Sequence, residues 1–355
     1  MNNCTVDSIT TTLNRSMMKI APLFLLLSLL AVAASTQITA ADLPLSFGSE
    51  AILRGLWSPQ ELQGKSEDKK IRHLRVPDRQ PPAKEIPTGT LPPLPREWQN
   101  SIRQVKPRDD RKLVALTFDL CEKAGEITGY DAGVVNALRQ DRVKATFFAG
   151  GKWMRSHPQQ TMQLMADPLF EIGNHAWTHG NFALLDRDRM LQQILWTQAQ
   201  YELLWEQLRN KALAAHIDPH EIDKIPRQPA LFRPPYGRCR AEALDILARQ
   251  GLPSIQWDIV SADPVKSRTP AMLVQTVVDQ ARPGAIVVMH GNGRGYSTAQ
   301  ALPEIVNALR TRGYEFVTVS ELLRSGEVVA TPECYEVQPG DNAHYDRIFG
   351  EGTGE

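Results

Sequence analysis

"ALTFDLCEKAGEITG" occupies Ala115–Gly129 and decides how the rest of the chain is read. With Leu113 and Val114 in front of it, the stretch opens as "LVALTF", an apolar, partly β-branched run of strand length. The run stops at a carboxylate, Asp119, followed by Leu120, Cys121 and Glu122. In a parallel α/β architecture the C-terminal ends of the strands share one face, and chemistry gathers there. A buried strand ending on an acid is therefore a candidate catalytic position.

Working outward, short apolar runs alternate with helical patterns from Lys112 onward. "DAGVVNALRQ" (131–140) reads as a helix and "KATFFAG" (144–150) as a strand. "TMQLMA" (161–166) is helical, and "FEIGNHAW" (170–177) begins as a strand. Residues 189–213 form a long amphipathic helix. "PALFRPPYG" (229–237) and "PSIQWDIV" (253–260) start as strands around the helix "AEALDILARQG" (241–251). The helix over 270–281, the strand "GAIVVMHG" (284–291), the helix over 301–313 and "EFVTVSELL" (315–323), a strand running into a turn, complete the series. About seven such units suit a barrel of parallel strands better than a short open sheet.

The flanks differ. Arg15 and Lys19 precede "IAPLFLLLSLLAVAA" (20–34), a basic then apolar pattern followed by small residues. It reads as a secretory signal over 1–40, too short for a membrane span and cleaved near Ala40 or Ala41. The expected product is periplasmic or secreted, with no membrane span left. Residues 41–107 are rich in proline and charge and read as a linker or wrapping arm. Residues 108–330 make the catalytic domain, with 210–228 as an insertion, and 331–355 a C-terminal tail with disordered parts. Composition is ordinary for a soluble protein, with 42% apolar and 23% charged residues and zero net charge. The charge balance argues against nucleic acid as a partner.

Asp119, His175, Arg233, Asp258 with Asp263, and His290 fall at strand ends. "NHAWTH" brings His175 and His179 to a spacing at which two imidazoles converge on a metal in a helix or tight turn. "FRPPYGR" holds Arg233 in a proline-stiffened loop where it can pair with a carboxylate. "VVMHG" ends on His290. Ionisable side chains at the ends of five strands on one face form a constellation.

Taken in order, "TFDLCE", "ATFFAGG", "GNHAWTH", "RPPYGR", "WDIVSADP", "IVVMHG" and "GYEFVTVSELL" resemble the polysaccharide deacetylase family, the NodB-homology or carbohydrate esterase family 4 group. The resemblance covers about Lys112 to Leu323. It implies a distorted (β/α) barrel of about seven parallel strands and metal-assisted hydrolysis of an acetamide on a glycan. It implies Asp119 as base, His175 and His179 as metal ligands, and Arg233 as the residue orienting the base. His290 matches the acid and Asp263 the residue setting its charge, although Pro264 stands where tryptophan is frequent. Tyr236 matches the position whose backbone amide holds the oxyanion. Trp153, Trp177, Tyr236 and Trp257 could stack on sugar rings or pack in the core.

The family pattern has two consecutive aspartates where this chain has Asp119 and Leu120, so the usual third metal ligand is missing. Three readings follow. A divalent metal such as Zn²⁺ is retained through Glu122, Asp119 or Cys121 as substitute ligand, with Glu122 favoured. Asp119 activates water without a metal. Or the pocket binds glycan without turnover. Three cysteines follow the signal, Cys121, Cys239 and Cys334. A Cys121–Cys239 disulfide would pin the Asp119 and Arg233 loops together; unpaired thiols are the alternative.

Overall fold

The computed structural model describes residue 43 and residues 47–349. The signal segment expected over 1–40 lies outside the described residues. No helix among them is long and apolar enough to cross a membrane. In chain order the strands are β1 (Arg72–His73), β2 (Ser101–Pro107), β3 (Lys112–Leu120), β4 (Glu126–Ile127), β5 (Ala145–Ala149), β6 (Phe170–Asn174), β7 (Ile259–Val260), β8 (Ala285–His290), β9 (Tyr314–Phe316) and β10 (Gly326–Thr331).

β3 is the centre of the main sheet, which runs β10-β2-β8-β3-β5-β6. β8 lies parallel along one edge of β3, while β9 and then β5 share the other. Beyond β6 the sheet curls through single parallel bridges, Asn174 to Phe232, Phe232 to Ser254, and Ile255 to Ile102 of β2. β2 and β7 both return to β8, so the barrel is real but irregular.

The strands expected over 229–237 and 253–260 are thus mostly reduced to bridges. Pro229, Pro234, Pro235 and Pro253 cannot donate to a ladder, which limits pairing there. The parallel set is also extended by antiparallel pairing, β2 running against β8 and β10 against β2. β2 belongs to the stretch read as an arm. The rest of that arm wraps the domain. Lys84 and the Thr88 amide bind Glu202 on the long helix Arg187–Ala214, and Leu94 is buried. "SELL" is not a turn: Val319–Ser325 is a helix with a Thr318/Glu321 capping box.

Alternation along β3 answers why a leucine follows the acid. Val114, Leu116, Phe118 and Leu120 join the core that includes Val134, Val135 and Leu138 of the helix Ala132–Gln140. Leu113 and Ala115 pack inside the barrel with Phe148, Trp257 and Ile286. Thr117 and Asp119 share their parity, so Asp119 faces inward while Leu120 is sealed on the helix side.

Candidate active site

Asp119 and His290 are register partners at the C-terminal ends of adjacent β3 and β8. Both line a cavity of about 290 Å³ shared with His179, Tyr236, Trp257 and Asp263. A larger depression of about 680 Å³ lies by Trp57 and Arg139 and contains none of these residues.

Arg233 is fully buried. One guanidinium nitrogen donates to Asp119 Oδ1 and Thr117 Oγ1, both at 2.8 Å. The others reach the carbonyls of Ile255 and Gln256, and the group lies 4.0 Å from the Phe148 ring centroid. Burial works to raise the Asp119 pKa, but the Arg233 guanidinium above all, with His290 beside it, outweighs burial and holds the carboxyl below its usual range. Asp119 is therefore an ionised carboxylate held by Arg233.

His290 is arranged in the opposite sense. Asp263 Oδ1 lies 2.9 Å from its Nδ1, and Asp263 Oδ2 accepts from its backbone amide at 2.7 Å. A carboxylate only accepts, so Nδ1 carries the proton, as does Nε2 in the imidazolium. Burial pulls the His290 pKa down, yet Asp263 outweighs it and the net shift is upward. Ser261 and Thr298 in turn donate to Asp263 at 3.1 and 2.6 Å.

His175 and His179 lie edge to face with centroids 4.9 Å apart. The segment between them is a turn, not a helix, with Ala176 and His179 in the left-handed region. Tyr236 and Ala262 share that conformation, so four of the six such non-glycine residues flank the site. Burial lowers the pKa of both imidazoles and keeps them neutral. His175 Nδ1 is 2.9 Å from the Arg233 carbonyl, while its buried Nε2 has no hydrogen-bond partner and sits 3.6 Å from Asp119 Oδ2.

That orphaned nitrogen is suited to a metal, but the donor set around it is incomplete. Leu120 is in the core. Glu122, the expected substitute, is turned to the other side: Oε1 binds Lys152 at 2.7 Å and Ser156 at 2.6 Å, and Oε2 accepts from the Thr128 amide. Cys121 is a buried free thiol whose pKa burial pushes up to about 12, with Asn292 donating to its sulfur. Among the described residues no three His, Cys, Asp or Glu side chains are grouped to hold a metal ion. The residues present do not fit the two-histidine, one-carboxylate Zn²⁺ site that the resemblance implies.

Other expectations are corrected too. Trp177 is not a sugar platform. A Cβ on Gly151 would lie 2.3 Å from its ring, and Trp196 and Arg155 cover the rest. Trp153 is likewise core, donating to the Gly129 carbonyl. Trp257 and Tyr236 do line the cavity. Asp258 precedes β7 instead of ending a strand. It binds the Ile286 amide at the start of β8 and Arg282, away from His290. Cys239 pairs with Cys334, not Cys121.

The polysaccharide deacetylase family model matches residues 106–215. A peptidoglycan-N-acetylglucosamine deacetylase of Bacillus cereus is 30% identical over 219 residues, 61% of this chain and 90% of that protein. The chain belongs to the polysaccharide deacetylase family. A second relative, the peptidoglycan-N-acetylglucosamine deacetylase PgdA of Listeria monocytogenes, is 30% identical over 221 residues. That match takes in 62% of this chain and 41% of PgdA, so the chain spans less than half of that relative. The fold is that of the solved Bc1960 peptidoglycan N-acetylglucosamine deacetylase, with TM-score 0.53 at 24% identity, covering 66% of this chain and 98% of that one.

Several residues of this deacetylase-family site are not singled out by the sequence alone. Thr117 was available from period-two alternation, two positions before Asp119 on the same face. Ser261 lies within "WDIVSADP" but its bond to Asp263 needs the folded turn. Thr298 and Asn342 come from distant segments, and nothing local to them points to the site. Asn342 is buried and donates to the carbonyls of Tyr236 and Gly237 at 3.1 and 2.6 Å, holding the strained peptide from behind.

Proposed function

We propose that this chain is an exported hydrolase that removes N-acetyl groups from a glycan, with Asp119 as base and His290 as acid. The observation that carries the reading is the pairing of these two residues on adjacent strand ends, each with a partner that favours the opposite protonation state. In this reading Asp119 takes a proton from the attacking water while Arg233, itself held by Thr117, fixes its carboxylate. The Tyr236 amide faces the developing oxyanion. His290 Nε2 then gives its proton to the leaving amine, and Asp263 stabilises the imidazolium. Trp257 and Tyr236 offer ring faces to a sugar. Export to the periplasm or beyond is supported by the basic–apolar pattern over 1–40 and by a Cys239–Cys334 disulfide, which persists in oxidising compartments.

Acetate release from N-acetylated glycan fragments tests this, with Zn²⁺, Co²⁺ or chelator added in parallel. Asp119→Asn and His290→Ala are each expected to lower the rate by about 10²–10⁴. Full activity in either variant overturns the assignment. The incomplete metal donor set favours a second reading, glycan binding without turnover. Calorimetric binding with no acetate released under any of these conditions would select it.

A further inference from the structure

The segment after β10 returns over the candidate site and supplies part of its wall. Glu336, Tyr345 and Phe349 line the same cavity as Asp119 and His290. Phe349 stacks on Tyr236 with centroids 4.0 Å apart and planes at 20°. Lys123, from the loop after β3, lies 5.4 Å from the Phe349 ring centroid. One aromatic ring therefore bridges the loops that follow two different strands, across the mouth of the barrel.

The segment is fastened at several independent points. Cys334 is bonded to Cys239 in the loop after Arg233. Asp346 takes both ends of the Arg238 guanidinium, at 3.0 and 2.5 Å, and a bond from Asn181. Trp257 Nε1 donates to the Glu336 carbonyl at 3.0 Å. Charge-assisted, partly buried bonds of this kind, with a covalent tie, describe a fixed wall, not a loop resting on the surface.

We propose that this disulfide-tied C-terminal segment determines substrate length, closing the Tyr236 side of the site so that it takes a short or chain-terminal N-acetylated sugar and not an internal residue of a long glycan. The inference rests on the deacetylase reading. A polymer processed internally needs a groove open at both ends, whereas Phe349 and Tyr345 stand as wall residues beside Tyr236. The cavity, at about 290 Å³, sits at the lower limit of the roughly 300–1,000 Å³ of small-ligand pockets. Its apolar rings suit the faces of one sugar better than a chain running through.

The test compares calorimetric binding of an N-acetylglucosamine disaccharide and hexasaccharide, with acetate release measured alongside. Wild type is expected to bind the hexasaccharide no more tightly than the disaccharide. Tyr345→Ala with Phe349→Ala should raise the ratio of hexasaccharide to disaccharide affinity about tenfold, whatever the two rings contribute to holding the disaccharide itself. Cys239→Ser with Cys334→Ser frees the segment without altering its rings and should relax selection in the same direction, which keeps the test decisive if the aromatic variant folds poorly. Wild type that already binds the hexasaccharide more tightly, or folded variants with unchanged selectivity, overturn the inference while leaving the deacetylase reading intact. Wild type that binds neither sugar overturns both.

Discussion

Two carboxylate oxygens of Asp263 receive the Ser261 and Thr298 hydroxyls, the His290 amide and the His290 ring. This makes His290 an acid with a raised pKa, so its protonated form is present at low pH and lost as pH rises through that value. If His290 is the acid, activity falls on the alkaline side with the same group. Asp263→Asn should move that fall to lower pH in a kcat profile; an unmoved limb would exclude His290 as the titrating acid. Glu122 is the other residue whose meaning depended on its neighbours. It forms a fully buried pair with Lys152, and breaking such a pair costs about 3–5 kcal/mol. Glu122→Gln should therefore lower stability to urea by that order and leave Zn²⁺ affinity unchanged by calorimetry. A marked loss of Zn²⁺ binding without loss of stability would restore Glu122 as a ligand.

At the scale of elements, strand ends were legible where one strand is long and apolar, as in β3, β5, β6 and β8, because a buried parallel strand leaves a continuous apolar run. The same logic misplaced 229–237 and 253–260, where Leu231, Ile255 and Trp257 pack inside the barrel but prolines restrict the backbone mostly to bridges. It also missed β2, because "SIRQVKP" mixes charges with apolar residues and pairs only with sequence-distant β8 and β10. "VTVSELL" shows the opposite case: β-branched residues favour a strand, but the Thr318–Glu321 capping box and burial of Leu322 and Leu323 settle a helix. Thr318→Ala should cost about 1 kcal/mol, read as a lower Tm. No change would mean that packing alone holds that helix.

For the whole molecule, the Cys239–Cys334 disulfide spans a separation of 95 residues and ties the segment after β10 to the loop after Arg233. Its removal by Cys239→Ser with Cys334→Ser is expected to lower unfolding free energy by about 2–4 kcal/mol in a denaturant titration. Without reductant, the denatured chain lacking residues 1–40 should expose one reactive thiol, Cys121. Three would mean that the bond does not form.

The sequence by itself determined the barrel class, the family and the Asp119, Arg233, His175, His179, Asp263 and His290 set, because each sits in a local pattern of strand, turn and charge. Tertiary structure alone decided what those residues meet. Alternation along β3 turns Leu120 away from Asp119, and a lysine thirty residues on claims Glu122. The segment ending at Phe349 reaches the site only through long-range contacts, a disulfide and a ring stacked across the barrel mouth. Side-chain partners far apart in sequence leave no local periodicity, so their pairing is fixed only when the chain closes on itself.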